Sequence, residues 1–98
     1  MIIVTGSITT SPESLAEVIE HSLEHVRRSR LEPGCLRHSV HQDVENNNRL
    51  VFVEHWQDLD ALRMHFAVQA SRDFSKTVAG LATERATLES YDATPTQP

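Results

Sequence analysis

Two hydrophobic periodicities follow one another along this sequence, and their order is the feature that most constrains the fold. Four stretches alternate apolar and polar residues in the way that is typical of strands: 2–9, 35–43, 49–56 and 83–91. Two stretches repeat apolar residues every three or four positions, which is typical of amphipathic helices: 11–30 and 58–81. The predicted order is therefore β-α-β-β-α-β, with a break in the second helical region at residues 67–70.

Residues that favour helix ends support these boundaries. Ser11 is a suitable cap, and Pro12 fits the first helical position because the N–H it lacks would have no partner there. Gly34 tolerates positive φ and predicts the end of the first helix. Asp58 is predicted to cap the second helical region, and Ser71 is predicted to cap the helix after the break.

This order predicts an α+β domain of the ferredoxin-like βαββαβ type, with a four-stranded antiparallel sheet and the helices on one face. Apolar residues occur at both odd and even positions of these strands, so both faces of the sheet carry apolar side chains. Ile3 alternates with Ile2 and Val4, and Val51 alternates with Phe52. Helices cover only one face of a sheet, so a second copy of the chain is predicted to cover the other face, which makes a homodimer.

Composition excludes several classes of protein. The chain has 98 residues and is predicted to be one domain over 1–92, followed by a loose tail over 93–98. A net charge of −5 with scattered basic residues argues against nucleic-acid binding. No segment resembles a signal peptide or membrane span, which predicts a soluble cytoplasmic protein. The single cysteine, Cys35, cannot form an internal disulfide.

Two segments carry a family resemblance: "EPGCLRHSVHQD" at 32–43 and "NRLVFVEHWQDLDALRMHF" at 48–66. Here the chain resembles the antibiotic biosynthesis monooxygenase (ABM) family, and the likeness covers residues 2–91. It implies two ferredoxin-like chains paired into a dimeric α+β barrel. The family includes cofactor-free quinol or anthrone oxygenases, haem-degrading enzymes and members of no known activity, so the resemblance bears more on fold than on function.

The same resemblance implies a ligand cavity between the sheet and the helices of each subunit. Glu54 and Trp56 match the Glu-x-Trp of the family's third strand. His65 stands where relatives have an aromatic residue or His, and His38 stands where many have Tyr. Haem degradation is not implied, because Ser75 occupies the position of that branch's axial His.

We therefore predict His38 and His65 as the catalytic residues, since His can transfer protons near neutral pH. Each could instead be a hydrogen-bonded core histidine. Glu54 could equally serve a structural ion pair, and Trp56 could be a core anchor. The predicted substrate-binding residues are Phe52, Glu54, Trp56, Phe66 and Phe74.

The other four histidines are assigned elsewhere. His21 and His25 form a row with Glu17 on the first helix, which we place on a solvated flank rather than at a metal. His41 and His55 have the opposite strand parity from the predicted site and are assigned to the dimer interface or solvent. No metal site is predicted.

The resulting functional hypothesis is a cofactor-independent monooxygenase that uses O₂ to oxidise a small aromatic quinol or phenol. No nucleotide-binding motif or phosphate-binding loop is found, so no cofactor is predicted. One alternative is a non-catalytic dimeric binding or accessory protein; it is favoured because the first strand has Thr5 and Ser7 where some oxygenase relatives have Asn. Another is an isomerase or other proton-transfer enzyme that needs no oxygen.

Overall fold

Four strands and three helices make up the chain in a computed structural model, which describes residues 1–98. The strands are β1 (Ile2–Thr9), β2 (Cys35–Asp43), β3 (Asn46–Trp56) and β4 (Thr87–Asp92). The helices are α1 (Leu15–Ser29), α2 (Leu59–Ala67) and α3 (Gln69–Leu81). The predicted order and the division of the second helical region are confirmed.

The strands form one antiparallel sheet in the order β2-β3-β1-β4. Inward-facing residues of β1 and β3 pack against the apolar sides of α1 and α3 in the main core cluster, which consists of Ile8, Val18, Val26, Leu50, Phe52 and Val78. A second cluster joins the sheet to α2 and consists of Val4, Trp56, Ala61 and Leu62. The helices thus lie on one face of the sheet, and the ferredoxin-like α+β class is confirmed.

The starts of α1, α3 and β4 differ from the predictions. Helix α1 begins at Leu15, because residues 12–14 form a turn in which Ser11 Oγ accepts from the Ser14 N–H at 3.3 Å. Helix α3 begins at Gln69, so Ser71 lies buried inside it and does not cap it. Strand β4 begins at 87 rather than 83. Capping of α2 by Asp58 is confirmed, since its side chain accepts from the Ala61 N–H at 2.9 Å.

The β2–β3 hairpin departs from the predicted alternation at two points. Strand β3 already starts at Asn46, which leaves only a short turn after β2. A register shift between Cys35 and Arg37 places Leu36 outside the pairing, where it is 59% exposed. The alternation predicted over 35–43 would place Leu36 on the same face as His38 and Val40. The extra residue in the ladder removes it from that face.

Gly34 fixes the approach of the chain to β2. Its φ is +80°, and a Cβ at this position would lie 2.5 Å from the Ala61 Cβ on α2. Its carbonyl oxygen also accepts from the Gln57 N–H at 2.8 Å. Only glycine therefore lets the start of β2 pass this close to the start of α2.

The sheet face away from the helices has no cover within one chain, although Ile3, Val51 and Val53 lie on it. After Asp92 there is no further helix or strand, but Ala93 exchanges backbone hydrogen bonds with Met1. None of the three helices combines the length and hydrophobicity needed to span a bilayer.

Candidate active site

A cavity of about 340 Å³ opens between the inner face of the sheet and helices α2 and α3. Its walls carry four of the five predicted substrate-binding residues, namely Phe52, Glu54, Phe66 and Phe74, together with the predicted base His65. The volume is in the usual range for small-molecule sites. Aromatic walls and a few convergent polar groups are therefore combined in one hollow.

His65 lies on α2 with its ring 3% exposed. Its Nδ1 is 2.8 Å from Glu32 Oε1 in the loop after α1. An ionised carboxylate only accepts, so Nδ1 carries a proton and donates to Glu32, which leaves the lone pair of a neutral ring on Nε2. The Trp56 ring packs against the imidazole at a centroid distance of 4.6 Å. This arrangement is that of an oriented general base.

Glu54 lies next to His65 with only 5% of its surface exposed. Its Oε1 accepts from the Trp56 Nε1–H at 2.8 Å and lies 3.3 Å from His38 Nε2 and 3.9 Å from His65 Nε2. Burial by itself would raise the pKa of Glu54, but the nearby His38 and His65 imidazoles and the Trp56 N–H outweigh burial and hold it below its ordinary value. Glu54 is thus a carboxylate at neutral pH.

His25 is the third imidazole of the site, and its predicted position on a solvated flank is wrong. It projects inward from α1, is 6% exposed and stacks on Phe74 at a centroid distance of 4.0 Å. Its Nδ1 accepts from Arg28 Nη2 at 2.8 Å, since a guanidinium can only donate. Burial, followed by the charges of His38, His65 and Arg28, lowers the pKa of His25 to about 3, so the ring is neutral.

His38 and Trp56 lie behind the wall of the cavity rather than on it. His38 projects inward from β2, is 1% exposed and lies edge-on to Trp56 at a centroid distance of 6.1 Å. Trp56 is fully buried in the second core cluster. Both residues thus reach the cavity through Glu54, which they contact together.

The remaining histidines lie away from the site. His21 is half-exposed and lies 3.6 Å from Glu17 on the outside of α1, as predicted for that row. His41 pairs with Val51, and His55 pairs with Arg37. Both histidines therefore lie on the sheet face opposite His38 and Glu54, as expected.

Two contacting residues were missed by sequence reasoning. His25 could have been found, because Val18, Ser22, His25 and Ser29 follow the i, i+4, i+7, i+11 spacing of one buried helix face. Glu32 gave no such signal, since it lies in a loop and reaches His65 across 33 positions of sequence.

Comparison with known proteins identifies the family of this chain. The family model described as antibiotic biosynthesis monooxygenase matches residues 1–77. The uncharacterized protein sll1783 of Synechocystis sp. is 31% identical over 96 residues, which cover 98% of this chain. The chain spans 65% of the length of that curated relative.

Solved structures share the whole fold. A candidate antibiotic biosynthesis monooxygenase from Deinococcus radiodurans superposes with a TM-score of 0.95 at 23% identity, covering 100% of this chain and 97% of that chain. A second structure, called an antibiotic biosynthesis monooxygenase, gives 0.89 at 27% identity over 97% of this chain and 100% of that chain. Because the family model covers most of the 98 residues, this chain belongs to the antibiotic biosynthesis monooxygenase family.

Proposed function

We propose that this protein is a cofactor-independent monooxygenase that oxidises a small aromatic quinol or phenol with O₂. The observation that carries the proposal is the oriented base at the cavity wall: His65 has its Nδ1 held by Glu32 and its Nε2 lone pair free. The aromatic walls support a planar apolar substrate rather than a sugar or a nucleotide.

The first step is proton transfer from a substrate hydroxyl to His65 Nε2. Glu32 at 2.8 Å and Glu54 at 3.9 Å stabilise the imidazolium that forms. Both carboxylates are shielded from water, so their attraction for this charge is stronger than it would be at the surface. A positioned base of this kind accelerates a reaction by about 10²- to 10⁴-fold.

The second step uses the electron-rich anion that the base creates. The anion gives one electron to O₂, and the aromatic radical and superoxide combine at a ring carbon to form a peroxide. The outer peroxide oxygen takes the proton back from His65 to give a hydroperoxide. The O–O bond then breaks, and the outer oxygen leaves as water with that proton and the hydrogen of the ring carbon. One oxygen atom remains in the product as a carbonyl, and the substrate itself supplies the two reducing electrons.

His38 has a positioning role in this scheme. It is 3.3 Å from Glu54 Oε1 and does not line the cavity, so it acts on the reaction through that carboxylate. Replacing His38 should therefore lower turnover less than replacing His65.

The test is oxygen uptake by EDTA-treated protein with a panel of hydroquinones and anthrone-like phenols. We expect uptake above the autoxidation rate, a fall of about 10²- to 10⁴-fold in His65→Gln, and no change in His21→Gln. His21 is a matched control because it also contacts a glutamate, but at the surface. Uptake at the autoxidation rate, or wild-type turnover in His65→Gln, would reject the proposal.

A non-catalytic binding protein is the second candidate, and the first strand favours it. Ser7, near the position of the Asn used by some oxygenase relatives, has its hydroxyl bonded to Thr87 Oγ1 at 2.7 Å rather than directed to a ligand. Thermal stabilisation by aromatic compounds, with no product formed aerobically, would support this candidate. Aerobic turnover would exclude it.

We further propose that the active protein is a homodimer paired through the open sheet face. Ile3, Val51 and Val53 form an apolar centre there that no part of the same chain covers. Burying such a centre is favourable at about 25 cal/mol per Å² of apolar surface. Val53→Glu should convert the dimer to a monomer in sedimentation, while Val44→Glu, on the fully exposed hairpin turn, should not. A Val53→Glu variant that sediments like the wild type would contradict this assembly.

A further inference from the structure

Three histidines from three different elements meet in one buried cluster. His25 comes from α1, His38 from β2 and His65 from α2, and one ring nitrogen of each lies within 4.8 Å of the others. Their ring centroids are 5.2 to 5.5 Å apart. Imidazole clusters of this kind are uncommon in a core because each ring needs hydrogen-bond partners that apolar neighbours do not provide.

The ring nitrogens of His38 lack such partners. Both Nδ1 and Nε2 are buried and neither makes a hydrogen bond, because the 3.3 Å contact with Glu54 is poorly aligned. A buried nitrogen without a partner costs about 1–3 kcal/mol. A ligand that accepts the lone pair of an imidazole would remove this cost.

His65 is already arranged as a metal ligand would be. Its Nδ1–H donates to the Glu32 carboxylate, and the free lone pair on Nε2 faces the cluster side, 3.9 Å from Glu54 Oε1. A carboxylate behind a histidine fixes the tautomer and raises the basicity of the ring in metal sites. Two acceptors facing each other across 3.9 Å also favour a cation between them.

His25 is the ligand that must change its contacts. Its Nδ1 accepts from Arg28, so the proton of the neutral ring is on Nε2. Binding through either nitrogen breaks the Arg28 bond, since a metal-bound neutral ring carries its proton on the other nitrogen. Arg28 is only partly buried and can turn away, which would free His25 to bind.

We propose that His25, His38 and His65 bind one divalent transition metal ion of the zinc class, next to the Glu54 carboxylate. Imidazole nitrogens suit Zn²⁺, Cu²⁺ and Ni²⁺. Zinc–nitrogen bonds are about 2.0–2.1 Å long, so the rings must rotate to bring their nitrogens closer than the present separation of up to 4.8 Å. Carboxylate oxygens of Glu32 and Glu54 lie 2.8 Å from His65 Nδ1 and 3.3 Å from His38 Nε2, which favours a cation at this cluster.

This inference goes beyond the proposed oxygenase and does not depend on it. A metal ion would occupy the lone pair on His65 Nε2 that otherwise takes the substrate proton. For the proposed oxygenase, the metal-loaded protein would then be the resting form and the metal-free protein the form that reacts.

The test is calorimetric titration of EDTA-dialysed protein with Zn²⁺, and with Co²⁺ followed by its visible spectrum. We expect the wild type to bind one ion per chain. The double variant His38→Gln, His65→Gln should lose binding, and His21→Gln should retain it. Histidine NMR signals of the wild-type protein give a second measurement that needs no variant: those of the three cluster residues should shift with Zn²⁺, while those of His21, His41 and His55 should not.

No heat of binding in the wild type, or shifts confined to the outer three histidines, would overturn the proposal. Failure here leaves the oxygenase proposal intact, because oxygen uptake is measured on EDTA-treated protein. Conversely, if the protein binds the ion but the metal-free protein takes up no oxygen, only the oxygenase proposal is rejected.

Discussion

Acid should destabilise this protein through one identifiable residue, His25. The ring is 6% exposed, and its pKa is about 3 in the folded chain against an ordinary value of 6.5. Between these two values the unfolded chain binds a proton that the folded chain does not. The stability is therefore fully present above pH 6.5 and is lost as the pH falls towards 3.

The size of the effect follows from the two pKa values. One such proton changes the free energy of unfolding by about 1.36 kcal/mol per pH unit once the pH is well below 6.5. Between pH 6.5 and 4.5, His25 should thus account for a loss of about 2 kcal/mol. That is a large fraction of the total stability expected for a small domain.

The assay is urea unfolding at both pH values, followed by the fluorescence of Trp56, in EDTA and at one protein concentration because dimerisation would shift the midpoint. We expect His25→Gln to lose about 2 kcal/mol less than the wild type over this interval. His21→Gln, a half-exposed neighbour on the same helix, should lose as much as the wild type. If His25→Gln and the wild type lose the same amount, the buried neutral imidazole does not control acid stability.

Three further pairs of variants test separate parts of the structure. Glu32→Gln should lower turnover about 10- to 150-fold, because a hydrogen bond to a charged group contributes about 1.5–3 kcal/mol. Glu17→Gln, from the surface Glu–His pair, should not lower it, and equal turnover in both variants would contradict the role of Glu32. Gly34→Ala should destabilise the fold to urea by at least about 1–2 kcal/mol, given its positive φ. Gly80→Ala, in open space on α3, should stabilise it by about 0.5–1 kcal/mol, and changes of the same sign would refute this reasoning. Asp58→Ala should lower the stability to urea by about 1 kcal/mol, because the α2 cap is lost. Ser14→Ala should cost little, because the Ser14 side chain makes no capping hydrogen bond. Similar losses in both variants would contradict the assignment of Asp58 as the cap.

The candidate site was only partly predictable from the sequence. Glu54, His65 and the three phenylalanines line one cavity, whereas His38 and Trp56, predicted with them, lie behind its wall. The three-histidine cluster was not predictable, because His25, His38 and His65 come from three elements and no local spacing connects them. Glu32 was missed for the same reason.

The sequence by itself determined the order of the elements, the antiparallel hairpin and the inner face of each strand. These follow from periods of two and 3.6 residues and from Pro, Gly and Asp at the ends, which act over a few residues. Tertiary structure alone decided that the bulge at Leu36 turns it outward, that Gly34 passes against α2, and that three imidazoles lie next to two carboxylates. Those outcomes depend on contacts between elements that are far apart in sequence, and only the packing of the whole chain determines these contacts.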